Sequence, residues 1–245
     1  MSYQFYMVKS RYTIIDYNNL LQCLLNNEYE FILFPTRNKK VYPQNKIILR
    51  HDIDFSLIAA KEIATQNYLL GIKSTFFLYL NSTFYNITHK DDIKIINKII
   101  ELGHDIALHY DSNSYLNPTV ELKILKEIFP TCRVDIISLH RPSTYLDKVK
   151  NINESLPPSI ITTYDSRFIK EINYVSDSKC DLNFNYLKRI IDNKESLQLL
   201  LHPIWWYFKG KNVNHKLNKF YTERSMNISK LIKYNLSFKV NILDD

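Results

Sequence analysis

The stretch Lys46-Ile47-Ile48-Leu49-Arg50-His51-Asp52-Ile53-Asp54 opens on an apolar run and closes on a polar cluster. A short apolar run preceded by a turn residue, here Pro43, marks a buried strand, so residues 46–50 predict one. From Leu57 to Leu70, Ala59, Ala60, Ile63 and Ala64 recur at helical spacing, and Gly71 falls at the C′ position that ends a helix. The unit then repeats. Residues 74–80 predict a second strand. Asp91–Leu102 predicts a helix with Ile93, Ile96, Ile99 and Ile100 on one side, ended by Gly103. Residues 105–109 predict a third strand and Val120–Phe129 a third helix, and further strands are expected at 136–139, 160–164, 174–176 and 196–201. Strands that alternate with helices need crossovers and hence parallel pairing. The number of units favours closure over an open sheet. The expected fold class is therefore α/β, a distorted (β/α)7-type barrel in one domain spanning 1–245. Its core is placed at about 46–206, with extensions 1–45 and 207–245 packed on it. In those extensions Tyr12–Leu25 and Thr222–Lys233 predict helices and Ser237–Ile242 a last strand.

Composition narrows the functional classes. The chain has 245 residues, 45% of them hydrophobic, and is long enough to bury a sizeable core. With only three glycines, a phosphate-cradling loop of the Walker or Rossmann kind is excluded in its usual form. Cys23, Cys132 and Cys180 are widely spaced and match no zinc-finger or disulfide pattern, so they read as free thiols. No apolar stretch approaches the roughly 20 residues of a transmembrane helix, and no leader is read at the start. A cytoplasmic location is expected. The formal charge of +7 comes from dispersed lysines; the densest group, Lys209, Lys211, Lys216 and Lys219, reads as a solvated face, and no nucleic-acid partner is expected.

Polar clusters follow the apolar runs with regularity: Arg50-His51-Asp52-Ile53-Asp54, His109-Tyr110-Asp111, His140-Arg141-Pro142, Ser176-Asp177-Ser178 and His202-Pro203-Ile204-Trp205-Trp206. Clusters at the same end of a parallel barrel converge on one site. Asp52 and Asp54 are two residues apart, which on an extended chain puts them on one face, where a cation or a shared proton would relieve their repulsion. One of them can ligate a metal while the other stays free as a base, and His109 supplies the imidazole that zinc prefers. The plainer alternative is a turn pair capping the helix near Leu57. His104 opens its strand and is expected to be structural. Trp205 and Trp206 either wall the site or fill the core.

In this arrangement the chain resembles the polysaccharide deacetylases of the nodulation-protein-B homology group, and within them the WbmS-like branch of surface-polysaccharide loci. The resemblance rests on Leu49–Asp54, Gly71–Phe77, Gly103–Asp111, His140-Arg141-Pro142-Ser143, Tyr174–Ser178 and Leu201–Trp206, taken in that order. It implies a metal-dependent hydrolase, a carbohydrate N-deacetylase that removes an acyl group from an N-acylated sugar or glycan in surface polysaccharide biosynthesis. It implies Asp52 as general base, Arg141 steadying it, and His202 as the acid that protonates the leaving amine. Asp54 and His109 become ligands of a divalent metal, expected to be Zn2+. The family's second metal histidine falls on Asn113 here, so Asp111 or Asn113, or alternatively His104, His140 or His202, is left to complete the shell. His51, His140, Asp177, Trp205 and Trp206 are the expected substrate-binding residues. Two other readings stay open: a catalytically inactive carbohydrate-binding protein, and a glycosyltransferase that uses Asp52-Ile53-Asp54 to hold a metal and a nucleotide sugar.

Overall fold

A computed structural model describes residues 12–36, 44–142 and 156–236. The expected strand at 237–242 lies outside them, as do Pro43 and Ser143. The strands are β1 (Glu30–Ile32), β2 (Lys46–Ile53), β3 (Thr75–Tyr79), β4 (Asp105–Asp111), β5 (Ile136–His140), β6 (Ile161–Thr162), β7 (Asn173–Ser176) and β8 (Leu197–Leu200). They form one parallel sheet in the order β6-β5-β4-β3-β2-β8-β7, with the short β1 beside the start of β2. The helices are α1 (Ile14–Asn26), α2 (Leu57–Leu69), α3 (Lys90–Glu101), α4 (Pro118–Ile128), α5 (Ser166–Ile169), α6 (Phe184–Asp192), α7 (Pro203–Tyr207) and α8 (Val213–Asn235). The architecture is the expected distorted barrel. Strand β1 and helix α6 were not anticipated, since a three-residue strand carries too little pattern to read.

The barrel curls without closing its ladder. Strands β6 and β7 are the two ends of the sheet path, and side chains bridge the seam between them. The Tyr164 and Tyr174 rings meet edge-on at 6.3 Å. From β8, Gln198 Nε2 donates to the carbonyls of Thr163 (3.0 Å) and Phe168 (3.2 Å).

Side-chain alternation sorts the strand residues into two cores. Ile48, Phe77, Ala107, Ile136 and Ile161 point inward and, with Phe34, Phe168 and Ile172, plug the interior. Ile47, Leu49, Phe76, Leu78, Ile106, Leu108, Ile137, Leu197 and Leu199 point outward beneath the helices. Helix ends follow local chemistry. Ser56 Oγ accepts from the Ala59 N–H and caps α2, so the aspartates before it are free of that duty. Gly71 (φ 69°) and Gly103 (φ 85°) take the left-handed conformation just past α2 and α3, where a Cβ would be strained.

Strand β2 runs three residues further than its apolar pattern suggested, to Ile53. Arg50, His51 and Asp52 therefore lie within the strand and alternate in facing. His51 pairs in register with the outward Phe76, and Asp52 with the inward Phe77. That one fact decides which of them can reach the site.

Candidate active site

The C-terminal ends of β2, β4, β5 and β8 bring Asp52, Asp54, His109, His140 and His202 together, where parallel α/β sheets place their chemistry. His109 sits between the two aspartates. Its Nδ1 lies 2.6 Å from Ser138 Oγ and 3.6 Å from Asp52 Oδ2. Its Nε2 lies 3.1 Å from Asp54 Oδ1 and 3.1 Å from His140 Nδ1. With Nδ1 protonated and donating to Ser138, Nε2 presents a lone pair to the cluster.

Asp54, His109 and His140 each offer one ligand atom, and these atoms lie within 4.8 Å of one another. Asp54 Oδ1 is buried and makes no aligned hydrogen bond, although two imidazole nitrogens stand 3.1 and 3.6 Å away. A buried carboxylate oxygen left in that state is costly unless a cation completes it. One carboxylate and two imidazoles are also the donor set that suits zinc. The residues thus fit a divalent metal. Burial opposes the negative charge on Asp54, but the neighbouring imidazoles outweigh it and hold its pKa well below the usual carboxylate range.

The third member of this cluster is His140, one of the residues left open for the shell as well as for substrate binding; Asp111 and Asn113 are not part of it. Asp111 instead accepts from the Tyr79 hydroxyl (2.5 Å) and the Asn113 N–H (2.9 Å), and Asn113 is exposed. The Tyr79 ring packs on His140 at 5.2 Å and backs the cluster from that side.

Asp52 is anchored from below, and not by Arg141. Arg50 Nε and Nη2 donate to its two oxygens at 2.8 and 2.7 Å. The guanidinium is fully buried between the rings of Phe77 (5.5 Å) and Tyr164 (5.2 Å). Burial raises the carboxyl's proton affinity, but the Arg50 charge outweighs it and keeps Asp52 ionised. Arg141 is exposed at the mouth with φ 46°. Arg50 supplies this anchor because it is two residues from Asp52 on the same strand face, a signal present in the sequence as Arg-x-Asp.

His202 faces the cluster from the other side, its Nε2 3.9 Å from Asp54 Oδ2. Asp177 orients it: His202 Nδ1 stands 2.6 Å from Asp177 Oδ1, and the His202 N–H donates to both Asp177 oxygens at 3.0 Å. Trp206 Nε1 donates to Asp177 Oδ2 at 2.7 Å. Burial disfavours charge on His202, yet Asp177, with Asp54 and Asp52 beyond it, pushes its pKa up to about 9. Asp177 is wholly buried, and its contacts hold His202 in place.

The other residues expected to bind substrate are buried. His51 is wholly buried on the outer face, its Nδ1 donating to the Leu201 carbonyl at 2.8 Å. Trp205 and Trp206 are 8% and 1% exposed and belong to the core, where Trp206 meets Tyr12 and Tyr17 edge-on. His104 is structural as expected, donating from Nε2 to the Ala64 carbonyl at 2.9 Å. Lys216 departs from the solvated reading of its cluster: it is buried, and its Nζ donates to the carbonyls of Tyr12 (2.8 Å) and Phe208 (2.6 Å). The three cysteines are free. Ser138, Gln198 and Tyr79, which support the site, were not singled out; Ser138 carried a signal as the polar residue within Ile136-Ile137-Ser138-Leu139.

No family model matches the chain, and no curated protein matches it. Among solved structures it is similar to a pseudoenzyme of the CE4 family from Bacillus anthracis, with 16% identity over 81% of this chain and 65% of that one, TM-score 0.42. It is also similar to the peptidoglycan deacetylase PdaC from Bacillus subtilis, with 12% identity over 82% of this chain and 98% of that one, TM-score 0.39. A third likeness is to the Bc1960 peptidoglycan N-acetylglucosamine deacetylase, with 14% identity over 83% of this chain and 90% of that one, TM-score 0.38.

Proposed function

We propose that the protein is a metal-dependent hydrolase of the polysaccharide deacetylase kind, which cleaves the amide of an N-acylated sugar or glycan in surface-polysaccharide assembly. The observation that carries the reading is the unsatisfied, buried Asp54 Oδ1 facing His109 Nε2 and His140 Nδ1, with an ionised carboxylate and an Asp177-held imidazole on either side. The substrate class follows from the motif resemblance.

A divalent cation held by Asp54, His109 and His140 would polarise the acyl carbonyl and acidify a water molecule. Asp52 is the proton acceptor. The Arg50 fork fixes its carboxylate plane and leaves further lone pairs on both oxygens. The same fork keeps it ionised, so it enters turnover ready to accept. His202 delivers a proton to the departing nitrogen from Nε2, while its Nδ1 stays on Asp177. That bond keeps the ring from turning and favours the protonated form. Ser138 fixes the tautomer of His109, and Tyr79 limits how far His140 can swing.

The glycosyltransferase reading needs both aspartates on one cation and phosphate. Here Asp52 is engaged by Arg50 and only Asp54 belongs to the ligand cluster.

The test is metal analysis of wild type, Asp54→Ala and His109→Ala purified side by side, followed by acetate release from N-acetylated glycans. Near-stoichiometric metal in wild type, lost in both variants together with turnover, is the expected result. A wild type that holds no metal after zinc is added back refutes the proposal.

A further inference from the structure

Helix α8 has two unlike halves. The first is fixed to the body by Lys216 and by Phe220, whose ring lies 5.8 Å from Phe55, 5.5 Å from Phe84 and 5.7 Å from Phe208. Past Phe220 the apolar side chains turn outward. Tyr221, Met226, Ile228, Leu231, Ile232 and Tyr234 are 71%, 57%, 45%, 52%, 42% and 86% exposed. Single exposed hydrophobics are ordinary, but such a concentration on one short segment marks a contact surface. Tyr221, Ile228 and Ile232 fall at i, i+7 and i+11 and so share one helix face. On the helix's other side a groove of about 590 Å³ is lined by Phe55, Phe84, Phe220, Leu231 and Tyr234, among others.

Charge decides what fits this surface. Lys219, Lys230 and Lys233 are exposed and Arg224 partly so, against Glu223 as the one acid of the helix. A second copy would set lysine against lysine with almost no acid to compensate. A nucleic acid would meet the cations and leave the isoleucines in water. An anionic bilayer takes both, the cations at its headgroups and the apolar face at the acyl boundary. Among the described residues no helix is long and apolar enough to cross a membrane.

We propose that α8 beyond Phe220 is an interfacial helix that seats the protein on anionic lipid. Phe55 directly follows Asp54 and packs against Phe220, so the root of this helix adjoins the mouth of the barrel. A glycan borne at a bilayer surface would then meet the site; that consequence rests on the proposed function, while the membrane contact does not.

The experiment is co-sedimentation of the full chain with phosphatidylcholine vesicles, alone and with about 30 mol% phosphatidylglycerol, the salt being raised in steps. Binding is expected only to the anionic vesicles and is expected to weaken with salt. Ile228→Asp/Ile232→Asp and Lys230→Glu/Lys233→Glu should each weaken it by about tenfold or more. Because all four side chains are exposed, the thermal midpoint should not move, and a melt of each variant checks that. Absence of sedimentation, equal binding to both vesicles, or indifference to both variants overturns the proposal. So does a concentration-dependent dimer that Ile228→Asp abolishes, which would give the face to a second copy. None of these results bears on the metal content of the Asp54 site.

Discussion

On the inner face of the sheet His109, His140 and His202 meet carboxylates; on the outer face His51 and His104 meet carbonyls, an amide and a hydroxyl. Every hydrogen in the outer group can be assigned. His51 Nδ1–H donates to the Leu201 carbonyl, so its Nε2 accepts from Asn67 Nδ2 at 3.2 Å. The second Asn67 N–H goes to Ser74 Oγ at 3.0 Å, and Asn67 Oδ1 accepts from the Tyr17 hydroxyl at 2.6 Å. Ser74 donates to His104 Nδ1 through its N–H and its hydroxyl, both at 3.2 Å, and His104 Nε2–H closes the chain on Ala64. A fully satisfied neutral network rigidifies, and this one ties α1, α2, β2 and the starts of β3 and β4 together. The inner group is the reverse: charged, and short of a partner at Asp54 Oδ1. The same residue type serves structure where its partners are neutral and complete, and chemistry where they are charged and incomplete.

The strongest way to break this contrast is to remove one polar partner from each face. Asp52→Asn should cut turnover by about 10²–10⁴-fold with metal retained. It also leaves Arg50 buried without its counter-charge, and urea unfolding should show a loss of about 3–5 kcal/mol. Converting both partners, Arg50→Met with Asp52→Leu, should recover most of that stability and none of the activity. Next in size, Asn67→Ala on the outer face strands donors or acceptors of three neighbours, Tyr17, His51 and Ser74, and opens a void, and should cost about 2–4 kcal/mol. Its metal content should match wild type. If Asn67→Ala empties the metal site, the two faces are not separate.

Acid and alkali should pull the two faces in opposite directions. Burial lowers the pKa of His51 from 6.5 to about 3, so between those values the unfolded chain binds a proton the native protein refuses. Its contribution is complete above about pH 6.5 and is lost as pH falls, by up to about 1.4 kcal/mol per pH unit. His104 is lowered too, again by burial, and acts in the same direction. For His202, raised to about 9, the sign reverses: its stabilisation is present below about pH 6.5 and is lost as pH rises through 9. Chelator-treated protein melted from pH 4 to 10 should show both flanks. His51→Gln should flatten the acid one and His202→Gln the alkaline one. Both substitutions flattening the same flank would contradict the assignment.

These two faces also mark what could be read in advance. The strand–helix alternation, the two glycine stops, and Asp54 with His109 were legible because each depends on local pattern or on residue type. Facing was not. With β2 ended at Arg50 by its apolar run, His51 and Asp52 looked like neighbours in one loop cluster. Only the extra residues to Ile53 send them to opposite sides. The burial of Trp206 and Lys216 was not legible for a related reason: it depends on residues distant in sequence, Tyr12 and Tyr17 edge-on against Trp206 and the Tyr12 carbonyl on Lys216 Nζ. The choice of His140 among the residues left open for the third position was not legible, because it belongs to another strand and its approach to His109 is set by the register that opposes Asp111 to His140.

The smallest expected effect is the most discriminating. If the anchor of Asp52 were at the mouth, as the motif resemblance implied, Arg141→Ala would strip the base of its partner and move the acidic limb of the rate profile. With the anchor inside, Arg141 is an exposed side chain, and its removal should change stability by no more than about 0.5 kcal/mol. Because φ is 46° at this position, Arg141→Gly should if anything stabilise, by about 0.4–1 kcal/mol at most, less the entropy that glycine adds to the unfolded chain. Arg50→Lys is the counterpart: it keeps the charge but gives up one of the two bonds at 2.8 and 2.7 Å, and a point charge does not fix a carboxylate plane. Its acidic limb should shift upward while that of Arg141→Ala stays with wild type. A shift in Arg141→Ala and none in Arg50→Lys would return the anchor to the mouth, and with it the arrangement that the sequence motif alone would suggest.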